Sequence, residues 1–376
     1  KPENDPALSA KIRLSIMGHD LEINVPLNYK FSDRVEGEII RPVVIVPAVV
    51  VSSDQENIIF TNKQEQRLNL TFRFFEDKEV HLNLEAEGWD ISPSFLKIKG
   101  EKDQLVQQSI SIKATEESYK TNLKISVDSK PARSLNEIDY SHIEKRIVFE
   151  ELSPKLVKIR LKKEGDLVGY IPGAGDKVSE AIELMGYRVE ILDQEKIKNT
   201  DLSKYQAIVA GIRAYNTEKW LPSVKDELMA YVKNGGNYIV QYNTRSRDLL
   251  SLDIGPYPFK LSRERVTEEL ARANFLIEDH PTLNYPNKID LRDFAGWVQE
   301  RGLYFAGTWA DEYDAPIGWA DKGEPMRKGG LIVGNYGKGA FMYTGISFFR
   351  ELPAGVPGAY RLLANLISYS SQSIDE

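Results

Sequence analysis

The sequence predicts two architectures in one chain, an all-β N-terminal part of β-sandwich type and a C-terminal α/β part built on a doubly wound sheet. Three observations carry this. Apolar and polar residues alternate with a period of two through residues 44–130, which marks strands with one buried face. From residue 165 the pattern changes to short apolar runs separated by helical spacing. The clearest instance is Gly165-Asp-Leu-Val-Gly-Tyr-Ile-Pro-Gly-Ala-Gly-Asp-Lys-Val-Ser-Glu-Ala-Ile-Glu-Leu-Met-Gly-Tyr-Arg-Val-Glu-Ile-Leu-Asp193, a strand, a helix and a second strand of the kind that builds parallel sheets.

With 376 residues the chain exceeds one ordinary domain, so two or three are expected. It opens at Lys1 rather than at a methionine, which predicts a mature or excised portion of a longer protein. Hydrophobic content of 41% and charged content of 28% are those of a soluble globular chain, and no apolar run approaches the roughly 18–20 residues of a membrane span. The net charge of −7 argues against nucleic-acid or anionic-membrane partners, which need concentrated Lys and Arg. The chain has no cysteine; disulfides, cysteine-ligated zinc and thiol nucleophiles are thereby excluded.

Residues 1–43 predict a hairpin. Ile12, Leu14 and Ile16 alternate with polar residues, Gly18-His19-Asp20 is the expected turn, and Leu21, Ile23, Val25 and Leu27 alternate again. Two strands are marginal alone, so this region completes or follows a β domain. Residues 44–130 predict the sandwich. Leu68, Leu70, Phe72 and Phe74 alternate against Arg67, Asn69, Thr71 and Arg73, and the pattern continues at Val80, Leu82, Leu84, at Val106, Ile110, Ile112, and at Leu123, Ile125, Val127. Residues 131–164 read as a polar connector, β-like only near Val157 to Leu161.

Residues 165–376 form the α/β part. Leu167 to Ile171 is the first strand, Gly173-Ala174-Gly175 turns the chain, and Asp176 is placed to cap a helix whose Val178, Ala181, Ile182 and Met185 share one face. Gly186 ends that helix, and Arg188 to Leu192 is the second strand. Ala207 to Gly211 is a third strand, Val224, Leu228, Tyr231 and Val232 mark a helix ended by Gly235-Gly236, and Tyr238 to Tyr242 is a fourth strand. The stretch from Arg245 to Asn287 is irregular. Leu331 to Val333 and Phe341 to Thr344 form a closing hairpin, and Leu362, Leu363, Leu366 and Ile367 a terminal helix. This order predicts a flavodoxin-like domain, in which ligands sit at the carboxyl ends of the strands.

Several blocks of this half carry a resemblance. Tyr170-Ile-Pro-Gly-Ala-Gly-Asp176, Gly211-Ile-Arg-Ala-Tyr-Asn216, Asn234-Gly-Gly-Asn-Tyr-Ile-Val-Gln-Tyr-Asn-Thr244, Gly296-Trp-Val-Gln-Glu-Arg-Gly-Leu-Tyr-Phe305 and the run from Tyr343 to Tyr360 resemble the C-terminal region of long bacterial PIG-L (LmbE-like) deacetylases. Gly88-Trp89-Asp90-Ile91-Ser92-Pro93 is similar to sandwich modules that accompany carbohydrate-active enzymes. The resemblance implies an upstream zinc domain that deacetylates N-acetylglucosamine-type sugars, an exported location and a carbohydrate ligand. The zinc motif is a histidine-proline-aspartate-aspartate run with a distant histidine. The four histidines here, His19, His81, His142 and His280, lack that neighbourhood, so zinc belongs to the missing domain and no metal or cofactor is expected in this chain. The α/β half also resembles the class I glutamine amidotransferase fold. Active members carry a cysteine just after the strand equivalent to Tyr238–Tyr242; here Asn243-Thr244 follows, and that chemistry is excluded.

Candidate sites follow from position. Gly173, Gly175 and Asp176 would cradle an anion or a sugar hydroxyl with backbone N–H groups, or form a plain turn and cap; Val178 breaks the dinucleotide motif. Arg213, Tyr215 and Asn216 after the third strand, and Gln241, Tyr242, Asn243 and Arg245 after the fourth, would bind a carbohydrate or tie down loops. Trp297, Glu300, Arg301 and Trp309, with Asp311, Glu312, Asp314 and Trp319, combine indoles with carboxylates. They would serve glycoside hydrolysis if two carboxylates faced one another, and otherwise form a surface loop. His280 is read as structural. Phe348-Phe349-Arg350 is a rim, an oligomer interface or core. The leading expectation is a non-catalytic portion of a deacetylase that packs on its zinc domain or holds glycan. The alternatives are a carboxylate-dependent carbohydrate hydrolase and an oligomerisation module.

Overall fold

A computed structural model describes residues 6–61, 65–140, 142–143, 145–244 and 254–369. The chain divides into two compact units. The first is Lys1–Glu56, Gln66–Thr115 and Thr121–Lys155; the second is Asn57–Glu65, Glu116–Lys120 and Leu156–Glu376.

The first unit is all β. One four-stranded sheet takes Phe95–Gly100, Lys78–Glu85, Lys124–Val127 and Lys130–Pro131 in that order, and another takes Val49–Ser53, Glu65–Phe74, Leu105–Ala114 and Trp89–Ser92. The alternation in sequence becomes alternation in burial. Leu68, Leu70, Phe72 and Phe74 are buried along one strand and Val80, Leu82 and Leu84 along another, while the residues between them stay more accessible. These are β-sandwich-like sheets. The N-terminal hairpin pairs Ser9–Ile16 with His19–Pro26. Its turn falls at Met17-Gly18, one residue earlier than expected, because both residues take positive φ (51° and 81°), the conformation of the two-residue turns that match strand twist. A second hairpin, Asn28–Asp33 with Gly37–Pro42, follows.

The segment read as a connector contains a hairpin of its own, Arg133–Ile138 with Arg146–Glu151. Its second strand is seeded by Ile147-Val148-Phe149, a β-branched and aromatic run inside a charged surround. Asn57–Phe60 also leaves the sandwich. Ile59 joins Val157, Ile159 and Val168 in the apolar core of the second unit, and the Asn57 side chain donates to Pro353 O at 3.0 Å.

The second unit is organised on a seven-stranded sheet. Its strands are β1 (Leu167–Ile171), β2 (Arg188–Ile191), β3 (Ala207–Ala210), β4 (Asn237–Gln241), β5 (Tyr313–Asp314), β6 (Leu331–Tyr336) and β7 (Gly339–Thr344), arranged β2-β1-β3-β4-β7-β6-β5. From β2 to β7 neighbouring strands are parallel; β6 runs antiparallel to β7, and β5 antiparallel to β6. Both faces are covered. Val168, Val209, Ile239 and Met342 pack with helix α1 (Val178–Leu184) and helix α3 (Pro357–Ile367). The alternate residues Ile208, Val240, Phe341 and Tyr343 pack with helix α2 (Lys225–Lys233). Burial on both faces explains why these strands are continuous apolar runs instead of alternating ones. Helix α1 and the residue after it bury Val178, Ala181, Ile182 and Met185, the face that the spacing marks. Among the described residues no helix is long and apolar enough to cross a membrane.

Candidate functional site

Because β2 lies on one side of β1 and β3 on the other, the direction of winding reverses between β1 and β3, and the loops at the carboxyl ends of β1, β3, β4 and β7 gather at that edge. The turn after β1 is closed by its own side chain. Asp176 Oδ1 accepts from the Tyr170 hydroxyl at 2.5 Å and from Val178 N at 3.0 Å, and Oδ2 accepts from Ile212 N at 3.0 Å. Ala174 N donates to Ile212 O at 2.8 Å. Gly175 takes φ +85°, and a Cβ at Gly173 would lie 2.1 Å from Ile212 O. At Gly173, Gly175 and Asp176 these bonds make the plain turn and helix cap, the other reading of this stretch: Ala174 N is committed to Ile212 O, and the Asp176 carboxylate is committed to Tyr170, Val178 N and Ile212 N, which locks β1 to the loop after β3. Burial, reinforced by the Asp176 charge, pushes the Tyr170 phenol above its ordinary pKa, so it remains a donor.

The loops after β3 and β4 are stitched together. Arg213 N donates to Tyr242 O at 2.7 Å, and Tyr215 N donates to Asn243 Oδ1 at 2.9 Å. Asn243 Nδ2 donates to Gln241 O at 2.9 Å. Asn216 bonds both Thr244 N and Thr244 O, at 2.9 and 3.0 Å. The hydroxyls of Tyr215 and Tyr238 lie 3.0 Å apart. Gln241 is buried, its amide donating to Ala210 O at 3.5 Å while Oε1 has no partner among the described residues. Tyr215, Asn216, Gln241 and Asn243, expected in a binding crevice, thus satisfy buried backbone. Arg245 lies outside the described residues.

Arg213 and Tyr242 are the members of that set with a different environment. The Arg213 side chain is exposed. The Tyr242 ring stacks on Tyr304, centroids 5.9 Å apart and planes 11° from parallel, and tilts against Phe349 at 5.3 Å. Arg350 lies 4.8 Å above the Phe349 ring; its Nε donates to Glu300 Oε1 at 2.9 Å and its Nη1 to Gln299 Oε1 at 2.5 Å. Burial raises the Tyr242 phenol pKa, opposed by the charges of Arg213 and Arg350. Two guanidinium groups therefore act on this hydroxyl.

The neighbouring segment is structural beneath and open above. Trp297 is buried and donates to Asp293 O at 2.8 Å. Arg301 is buried, donating to Ala271 O at 3.0 Å and Phe294 O at 2.8 Å, 5.1 Å from the centre of the Trp297 ring. Glu351 accepts from Val298 N at 2.9 Å, and burial pushes its carboxyl up to about 7. Trp309 is half-buried, Trp319 is buried, and Asp311, Glu312 and Asp314 are exposed. His280 accepts from Thr282 N as the cap of Pro281–Asn284, and its Nε2 lies 3.8 Å from Asp314. Phe348 is fully buried, because helix α3 and the parallel sheet close over it, so it offers no oligomer surface.

Above this segment lies a cleft of about 400 Å³ lined by Arg263, Arg265, Glu300, Leu303 and Tyr304. Among the described residues its one lining carboxylate, Glu300, is the one paired with Arg350, so the described residues do not assemble a pair of facing carboxylates for glycoside hydrolysis there. Every described non-glycine residue of the second unit with positive φ belongs to this region: Arg213 (57°), Gln299 (68°) and Tyr304 (52°). Such backbone costs about 1–3 kcal/mol per residue and concentrates at ligand sites. Sequence reasoning missed Arg263, Arg265, Gln299 and Tyr304 as site residues. They come from irregular chain with no periodic signal, apart from the alternation of Arg263 and Arg265 about Glu264. A larger depression of about 570 Å³ in the first unit lies beside Glu85, Glu87, Trp89 and Asp90, but Trp89 is buried and offers little ring face. Among the described residues no group of His, Asp and Glu is placed to hold a metal.

No family model matches the chain, and no curated protein matches it. Among solved structures it is similar to WR4, a C. elegans MSP family member, at 9% identity over 29% of this chain and 97% of that one, with a TM-score of 0.19. It is also similar to the Salmonella enterica SafA pilin in complex with the SafB chaperone, at 9% identity over 33% of this chain and 59% of that one, with a TM-score of 0.20.

Proposed function

We propose that this chain is a non-catalytic, carbohydrate-holding portion of an LmbE-like sugar deacetylase, and that the sugar sits against Tyr304 in the cleft beside Glu300. The observation that carries the reading is the Tyr242–Tyr304 stack at the carboxyl ends of the sheet. A half-buried tyrosine face, held flat from behind, suits the C–H face of a pyranose, and Gln299, Glu300 and Arg213 supply planar donors and acceptors for its hydroxyls.

The strand order β2-β1-β3-β4 with a parallel β7 supports a flavodoxin-like, class I glutamine amidotransferase-like ancestry. In the position of the amidotransferase cysteine this chain has the loop Tyr242-Asn243-Thr244, whose Asn243 side chain is spent on backbone. The zinc chemistry of the parent protein, and its export, belong to the same proposal and to a domain upstream.

Calorimetric titration with chitotetraose tests this. Binding is expected, and Tyr304→Gly should weaken it several-fold, the loss of a stacking contact worth about 1 kcal/mol. Glycine suits the positive φ at this position, so the backbone survives the removal of the ring. Absence of binding to the parent chain, or unchanged affinity in the variant, would remove the reading. The same preparation should hydrolyse neither amide nor ester, with or without added zinc.

A further inference from the structure

Resting on the proposed carbohydrate cleft and refining its ligand, we infer that the cleft selects an acidic saccharide, one whose carboxylate is held by Arg263 and Arg265 while its ring lies on Tyr304. The two arginines sit two residues apart and both line the cleft. Arg265 pairs across a short antiparallel ladder with Leu303, which lines it too. Arg263, Arg265 and Tyr304 line the same cleft, so both arginines border the space in which the Tyr304 ring stands.

Three described carboxylates near them are committed elsewhere. Glu264, between them in sequence, bonds Arg327 Nη1 at 2.7 Å. Glu300, opposite, bonds Arg350 Nε at 2.9 Å. Asp321, within electrostatic reach of Arg265, has one oxygen accepting from Glu268 N and the other from Thr267 N and Oγ1, all at 2.9 Å. Among the described residues neither Arg263 nor Arg265 has an ion-pair or hydrogen-bond partner for its side chain, and both are exposed. In a chain of net charge −7, a concave site whose one acid is already paired and whose two arginines are unpaired is a local reversal of sign. Guanidinium matches a carboxylate bidentately and is more weakly hydrated than an ammonium. The aromatic wall then separates a sugar acid, which has a C–H face to stack, from a bare anion, which has none.

The test is calorimetric titration of the full chain with tetragalacturonate, with chitotetraose and with inorganic sulfate, at low and at moderate salt. Tetragalacturonate is expected to bind about tenfold more tightly than chitotetraose, as one charge-assisted contact implies, and to lose that margin as salt rises. Arg263→Ala with Arg265→Ala should remove the preference by lowering tetragalacturonate affinity about tenfold relative to chitotetraose, with the thermal midpoint unchanged, since both side chains are exposed. Equal affinity for the two oligosaccharides, or a preference that survives the double substitution, overturns the inference and leaves the carbohydrate reading standing. Sulfate binding as tightly as tetragalacturonate overturns it in favour of a bare anion site. Failure of both oligosaccharides to bind removes the carbohydrate reading together with it.

Discussion

At the scale of single residues, two positions behave differently from what their type suggests. Gly173 is needed for close approach, since an added Cβ would meet the Ile212 carbonyl oxygen at 2.1 Å and backbone cannot swing aside as a flexible side chain can. Gly173→Ala should cost roughly 1–3 kcal/mol, seen as a lower urea midpoint; a midpoint equal to that of the parent would contradict the packing described. Glu351 is a buried carboxyl pushed from its ordinary 4.5 up to about 7 by burial. A folded-state value above the unfolded one means that the native state holds the proton more tightly. The associated stability is fully present below about 4.5 and is lost as pH rises toward 7. Glu351→Gln keeps an acceptor for Val298 N and turns a donor toward Ser347 Oγ, which itself donates to Glu300 O. The variant should gain stability over the parent at pH 8 and not at pH 4, measured by urea unfolding at both; a gain independent of pH would sink this account.

At the scale of elements, helix α3 shows what an apolar pattern leaves out. Leu362, Leu363, Leu366 and Ile367 predict a buried helix face, and they are buried. Asn365 lies among them, also buried. Its side chain accepts from Asn287 N at 2.9 Å and donates to Thr282 O and Asn287 O at 3.0 and 2.7 Å, pinning the irregular segment 281–287 to the helix. Asn365→Leu matches the volume but leaves buried backbone groups unpaired. It should destabilise by about 2 kcal/mol or more, and hydrogen exchange should accelerate at residues 282–289; protection unchanged there would show that the segment is held by other contacts. The one-turn helix Phe348–Glu351 divides its four side chains between core, the contact with the Tyr242 ring, ion pair and buried acid. An aromatic and charged run of this length is equally compatible with rim or core, and packing alone assigns each residue.

At the scale of the whole molecule, the all-β first unit and the sheet-building character of the second were legible because both rest on local periodicity. Alternation over Glu65–Phe74, and helical spacing from Val178 to Met185, reflect faces that meet a core whichever partner supplies it. The assignment of Asn57–Phe60 to the second unit was not legible, since its apolar residues suit a strand in either unit and only packing against Val157 and Ile159 decides. The candidate site divides in the same way. Tyr242 and Arg213 could be named from their place after parallel strands. Arg263, Arg265, Gln299 and Tyr304 could not, because they converge from irregular chain through contacts that no short window contains. The sequence by itself determined that the thiol and the zinc motif are missing from its residues, and which strongly periodic stretches become strands and helices. Only the tertiary structure decided which polar side chains are consumed in holding loops and which remain to face a ligand, because hydrogen-bond satisfaction depends on neighbours distant along the chain.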